Sequence, residues 1–167
     1  MRRFALYLFV CILTAPAWAV DDADNDPTPV PICSDMPASG AIAAISVDDA
    51  KLICRAMNLL PGVRLKDIRT FSKAAVVLAH EGYEGTIEST TKQLVEIVRL
   101  RGLNNQPDRW YSNLNVIVKV YQALNGVVTP MDAIAFLDSA GPSAKKLSDE
   151  GFSNMLIYIV VSRQSGD

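Results

Sequence analysis

Histidine is nearly absent from this chain of 167 residues, which has only one, His80. A zinc-peptidase helix needs H-E-x-x-H, with two histidines one turn apart on one face. Glu81 follows His80, but Glu84 stands where the second ligand is needed, and Gly82 is expected to end the helix between them. We therefore expect no metal, no cofactor and no catalytic histidine. We interpret His80 as a helix-end residue whose cationic form meets the negative end of the helix dipole.

Motifs for nucleophilic catalysis are missing as well. The chain has no G-x-S-x-G elbow and no glycine-rich phosphate loop. Two S-x-x-K pairs occur, Ser89 with Lys92 and Ser143 with Lys146, but the K-T-G element of penicillin-binding enzymes is absent. The sequence therefore favours a protein that is not an enzyme. A small enzyme whose site these motifs do not reveal is the alternative.

An excess of basic residues is also lacking. The chain has 16 Lys and Arg against 18 Asp and Glu, which gives a net charge of −2 at pH 7. Nucleic-acid binding draws its affinity from many Lys and Arg side chains that neutralise phosphates. We therefore expect no nucleic-acid partner.

No apolar run reaches the roughly twenty residues that a membrane-spanning helix needs. The first residues, "MRRFALYLFVCILTAPAWAV", combine a positive start, a short apolar run and an A-x-A site at residues 17–19. This pattern is typical of a secretory signal peptide. We expect residues 1–19 to be removed and the mature protein to be periplasmic, with no membrane insertion. A lipoprotein signal ending at Cys11 is the alternative, although Val10 before it is not small.

Cysteine is scarce, and two remain after the predicted signal peptide, Cys33 and Cys54. An even count in an oxidising compartment favours a disulfide. A bridge between them would close a loop of about twenty residues and stabilise the fold by about 3 kcal/mol on the chain-entropy model. We expect it to fasten the N-terminal arm to the first helix. Two unpaired buried thiols are the alternative.

Helical periodicity begins after an acidic, proline-rich segment. Residues 20–45 are predicted to form a flexible arm, because Pro27, Pro29 and Pro31 exclude both helix and central strand. In residues 46–167, apolar side chains recur every three or four positions between cap and stop signals. We expect this part to be an all-α domain, a compact antiparallel bundle of five or six helices.

Cap residues indicate where the helices begin. Ser46, Thr86 and Thr129 are N-cap candidates, and Asp108 is the candidate for the fourth helix. Residues 155–161 also suit a strand because they are rich in β-branched side chains, and Gly151 is a candidate interruption of the last helix. The predicted helices are 46–60, 65–81, 86–101, 109–124, 129–140 and 143–163.

The stretch "RGLNNQPDRWYSN" places a polar loop directly before an aromatic helix start. Trp, Tyr and Arg are the residues that most often dominate protein interfaces. The predicted partner-binding residues are Asn104, Asn105, Asp108, Arg109, Trp110 and Tyr111. The alternative is that Trp110 and Tyr111 pack under the loop as part of the core.

An exported helical domain with one disulfide and no catalytic motif resembles, in its general plan over residues 1–165, a known group of proteins. These are the periplasmic immunity proteins that protect bacteria against peptidoglycan amidase effectors of type VI secretion. The resemblance implies that a loop or helix edge plugs the cleft of a cognate secreted hydrolase. It implies no functional residue at a numbered position.

Two other functions remain open at this point. One is a small periplasmic enzyme or ligand-binding domain, and the other is an adaptor of an envelope complex. A homodimer is an open alternative for the assembly.

Overall fold

The structure is a computed structural model that describes Cys33 and residues 46–164. The predicted signal peptide (residues 1–19) and the predicted arm (residues 20–45), apart from Cys33, lie outside the described residues, as do residues 165–167. Within the described part, no helix is long and apolar enough to cross a membrane.

Helices joined by short turns make up the described residues, among which no β-strand occurs. The all-α class is therefore confirmed. Two 3₁₀ turns, Pro107–Arg109 and Gly141–Lys146, precede the fourth and sixth α-helices. The α-helices are α1 (Val47–Met57), α2 (Leu65–His80), α3 (Ile87–Leu100), α4 (Trp110–Ala123), α5 (Pro130–Ala140) and α6 (Asp149–Gln164).

Three of the four cap predictions are confirmed. The side chains of Ser46 and Thr86 accept hydrogen bonds from backbone N–H groups three residues on, at the starts of α1 and α3. Thr129 does the same for α5 and forms a capping box with Asp132, while Pro130 occupies the first helical position. These contacts satisfy N–H groups that a helix start would otherwise leave unpaired.

The fourth cap prediction is wrong. Asp108 lies inside the 3₁₀ turn, and α4 begins at Trp110 without a side-chain cap. The 3₁₀ turn leads directly into the helix, so the backbone of the turn replaces a capping side chain.

The predicted last element, 143–163, is interrupted near Gly151 as expected, but at residues 147–148, between the 3₁₀ turn Gly141–Lys146 and α6. The helix α6 itself runs through Gly151 without a break, and residues 155–161 are helical. Its buried side chains, Phe152, Met155, Leu156 and Ile159, are spaced to form one face. This face packs against α4. Packing thus outweighs the modest β-propensity of the branched residues.

The compact antiparallel bundle is confirmed, and its six helices among the described residues form two layers. In one layer α3 lies between α1 and α5, and in the other α4 lies between α2 and α6. Contacts of α2 with α1 and α3 join the layers. The bundle therefore consists of two layers of three helices, α1–α3–α5 and α2–α4–α6.

The predicted disulfide between Cys33 and Cys54 is confirmed. Cys54 lies on the buried face of α1 and is 3% exposed. The bridge joins residues 21 positions apart, so it ties Cys33 to the first helix of the bundle.

Candidate functional site

The α3–α4 loop, residues 102–109, has a backbone that is held at several points. Gly102 has φ +67° and lets the chain leave α3 in a left-handed conformation. The amide of Leu103 donates to the Val98 carbonyl at 3.0 Å, and the amide of Gln106 donates to the Leu103 carbonyl at 2.9 Å. The side chain of Leu103 is buried. These contacts fix the base of the loop to the core.

Trp110 is a structural anchor of this loop and not a surface residue. Its side chain is 1% exposed and packs edge-on against Phe71, with ring centroids 6.0 Å apart. Its indole N–H donates to the Leu103 carbonyl at 2.7 Å. The ring is enclosed by the core and offers no exposed surface to a partner. Its position under the loop is the one that the alternative describes.

The other predicted binding residues divide by exposure. Asn105 and Asp108 are exposed at the surface of the loop, whereas Asn104, Arg109 and Tyr111 are only partly exposed. Arg109 donates to Gln106 within the loop and to Asp149 at the start of α6. Its main contacts are therefore internal, and the exposed surface of the loop is made by Asn105, Gln106 and Asp108.

A buried arginine that the sequence prediction did not single out lies beneath the loop. The side chain of Arg101, directly after α3, is 0% exposed. Its guanidinium lies over the Phe152 ring, 4.5 Å from the centroid, in cation–π geometry. It donates to Asn113 Oδ1, to the Leu147 carbonyl at 2.9 Å, to the Ser148 carbonyl at 3.2 Å and to Asp149 Oδ1 at 3.3 Å.

Burial lowers the pKa of Arg101, and the nearby Asp149 carboxylate opposes this effect. Arginine nevertheless remains protonated in proteins. Its contacts reach α4 and the start of α6, so a single cation joins the ends of three helices.

Asp149 is the carboxylate of this network. It accepts hydrogen bonds from Arg109, from Ser112 Oγ at 3.1 Å and from Asn113 Nδ2 at 3.2 Å. Burial by itself raises the pKa of Asp149, but these hydrogen bonds and the charge of Arg109 outweigh burial and lower it from 3.8 to about 2. The folded protein therefore favours the ionised carboxylate.

Acid is expected to remove the stabilisation that Asp149 provides. Since its pKa is about 2 in the fold and 3.8 ordinarily, this contribution is full above about pH 5 and is lost as the pH falls through 4 towards 2. Urea unfolding of the wild type and of Asp149→Asn across this range measures it. The difference in unfolding free energy should be largest at neutral pH and shrink in acid. Asp138→Asn, at an exposed position, is the control. A difference that does not change with pH would contradict this role for the ionised form.

A groove of about 190 Å³ lies beside the loop, between the N-terminal half of α2 and the start of α4. One side carries four basic side chains, and the other is formed by the loop and the first turn of α4. We call it the basic groove. The residues that characterise it are Arg64, Lys66, Arg69 and Lys73 on α2 and before it, with Pro107 and Tyr111 opposite.

The start of α2 is held by a pair of opposite charges at one end of the basic groove. Asp67, 5% exposed, accepts from the Arg64 backbone N–H at 2.9 Å and from its guanidinium at 2.9 and 3.1 Å. These side-chain hydrogen bonds raise the pKa of Arg64. Arg64 also lies 3.7 Å from Asp108, which connects the loop to α2. Asp67 is thus committed to Arg64.

His80 is the last residue of α2, and Gly82, with φ +86°, follows the end of the helix as predicted. The His80 side chain is outside the described part of the structure. Glu84 is exposed, and Glu81 accepts a hydrogen bond from Gln122 at 3.1 Å. The described residues contain no group of three or more His, Cys, Asp or Glu arranged to hold a metal ion.

Comparison of the chain with protein-family models, with curated proteins and with solved structures finds no match. A functional assignment therefore rests on the residues and geometry of the chain itself.

Proposed function

We propose that this chain is a periplasmic immunity or inhibitor protein that binds a cell-wall-degrading, amidase-type effector and blocks it sterically. The single observation that supports this most directly is the set of hydrogen bonds and buried side chains that hold the α3–α4 loop. A loop that is already ordered loses little conformational entropy on binding, so more of its contact energy appears as affinity. An exposed polar tip on a fixed base is a suitable shape for entering a concave active site.

The base of the loop supports this role from two sides. Leu103 and Trp110 hold it from within the core. Arg109 and Asp149 hold its C-terminal end at the start of α6. A segment fixed in this way keeps its shape when it meets a partner, as the inhibitory segments of preorganised complexes do.

In this proposal the protein performs no chemical step. Asn105, Gln106 and Asp108 present amide and carboxylate groups to the partner. The loop fills the hydrolase cleft, and the peptide substrate can no longer reach the nucleophile. Trp110 contributes only by holding the loop in place.

Replacing two of the three exposed polar side chains of the loop, in Asn105→Ala/Asp108→Ala, is expected to weaken inhibition about tenfold, or about 1.4 kcal/mol. The proposal expects a hydrolase gene next to this one, and the assay is hydrolysis of purified peptidoglycan by that enzyme, titrated with the mature chain. Calorimetry gives the dissociation constant. Because both positions are exposed, the helical signal should not change.

The matched control is Asp138→Ala/Asn154→Ala, which removes the same two residue types from exposed positions on α5 and α6. It should inhibit like the wild type. Equal loss in both variants would show that the loop is not the contact. An adaptor would instead be encoded among envelope-assembly genes, and no titration would inhibit a hydrolase.

A further inference from the structure

The basic groove differs in charge from the chain as a whole. Its lining has four basic side chains and two acidic ones, Asp67 and Asp108, a net charge of +2, whereas the full chain has −2. Asp67 has both oxygens engaged by Arg64. Because the net charge of the lining is positive, the groove favours an anionic ligand.

The cations follow the geometry of one helix face. Lys66, Arg69 and Lys73 are three and four residues apart, so they form one stripe along α2. All three are half-buried. Lys66 and Lys73 are seven residues apart, which corresponds to about 10.5 Å along the helix axis. A ligand that meets both ends of the stripe needs two negative groups about this far apart.

The size of the groove indicates what kind of ligand fits. A volume of about 190 Å³ is below the roughly 300–1,000 Å³ of pockets that enclose a drug-sized molecule. It suits a few side chains of a segment that runs along the surface. The opposite wall offers a proline and a partly exposed tyrosine, Pro107 and Tyr111. Aromatic and apolar walls of this type accept extended polyproline-like segments.

We propose that the basic groove binds an acidic, polyproline-like segment of a partner protein, with two carboxylates three residues apart. In polyproline II geometry, residues i and i+3 lie on the same face and about 9.3 Å apart, close to the length of the Lys66–Lys73 stripe. The proline and tyrosine wall holds the backbone of the segment while the stripe pairs with its carboxylates.

The basic groove adjoins the α3–α4 loop, because Pro107 and Asp108 belong both to the loop and to the groove lining. The inference deepens the proposed function and, as a statement about the hydrolase, rests on it: the rim of the blocked cleft would carry the acidic segment. A partner that takes the loop into its cleft would place its rim on α2.

The test uses the mature chain and a fluorescein-labelled peptide containing Glu-Pro-Pro-Glu, with a Gln-Pro-Pro-Gln peptide as its neutral counterpart. Fluorescence anisotropy measures affinity. The neutral peptide should bind the wild type about fivefold more weakly than the acidic peptide does. The acidic peptide should bind Lys66→Gln/Lys73→Gln about fivefold more weakly than it binds the wild type. Both effects are modest because the ion pairs are partly exposed. Higher salt should weaken only the acidic peptide.

The control variant is Lys51→Gln/Lys92→Gln, which removes the same charge at lysines on α1 and α3 whose side chains are 34% and 59% exposed. It should bind the acidic peptide within about twofold of the wild type. Equal weakening in both variants, or equal affinity for both peptides, would overturn the proposal. A third result would also overturn the proposal: the acidic peptide binds only after four acidic residues of the chain itself are replaced by Asn. That result would mean that the chain's own acidic segment occupies the groove. The four residues are Asp21, Asp22, Asp24 and Asp26.

The two proposals fail separately. The peptide assay contains no hydrolase, so specific peptide binding without inhibition would retain the groove and remove the proposed function. The opposite result is inhibition that depends on the loop but not on Lys66 and Lys73, with no peptide binding. It would retain the proposed function and remove the groove proposal.

Discussion

Replacing Trp110 with alanine is expected to lower the free energy of unfolding by about 3–5 kcal/mol, the usual cost of truncating a large buried aromatic side chain. The indole is 1% exposed and packs edge-on against Phe71. Its removal leaves a cavity and also leaves the Leu103 carbonyl without its 2.7 Å hydrogen bond from the indole. Urea unfolding followed by circular dichroism measures the effect.

Trp110→Phe separates the two contributions. It keeps much of the apolar ring but cannot donate to Leu103, whose carbonyl still accepts from the Gln106 amide. Its cost should therefore be about 1–2 kcal/mol, that of one lost buried hydrogen bond and a small loss of packing. Tyr111→Ala, at a half-buried neighbouring position, should cost less than Trp110→Ala. A Trp110→Ala protein as stable as the wild type would contradict the anchoring role. Any loss of partner binding in Trp110→Ala has to be corrected for the unfolded fraction before it is interpreted as a contact.

Replacing Arg101 with methionine should destabilise the protein by about 3 kcal/mol. The change removes the donor for Asn113 Oδ1 and for the Leu147 carbonyl, whereas the Ser148 carbonyl keeps its hydrogen bond from the Phe152 amide. Each buried acceptor left without a partner costs about 1–3 kcal/mol, and the apolar methionine regains part of this through packing. The cation–π contact with Phe152 is lost as well.

Arg101→Lys is expected to restore little of this stability. A lysine keeps the charge, but its compact ammonium cannot match the planar fork with which arginine reaches several acceptors at once. Arg109→Met, at a side chain that is 37% exposed, is the control and should cost about 1 kcal/mol or less. Chemical denaturation of the three variants measures these differences. An Arg101→Met protein more stable than the wild type would show that the desolvation cost of the buried guanidinium exceeds the stabilisation from its contacts.

The caps and the disulfide could be predicted because they depend on short-range rules. Ser46 and Thr86 act on N–H groups three residues away, so their role is visible in the local sequence. The pairing of Cys33 with Cys54 was expected because two cysteines remain after the predicted signal peptide and the predicted compartment is oxidising. The helical period of the apolar residues likewise indicated an all-α domain, since burial of one stripe per helix needs no knowledge of the neighbouring element.

The placement of Trp110 could not be predicted, because an amphipathic aromatic residue at a helix start suits both a core and an interface. The alternative was settled by Phe71 and Leu103, which come from α2 and from the loop. The Asp108 cap failed for a related reason: the 3₁₀ turn supplied by the loop changed where α4 begins.

The Arg101–Asp149 network and the basic groove depend on the order in which the helices stack. Arg101 and Asp149 are 48 residues apart in the chain, and no local pattern connects them. Periodicity shows which face of a helix is buried, but not which helix covers it. The amino-acid sequence alone thus specified the helices, their caps and the bridge, whereas the two-layer stacking of the helices decided which polar side chains lie in contact beneath the α3–α4 loop and beside it.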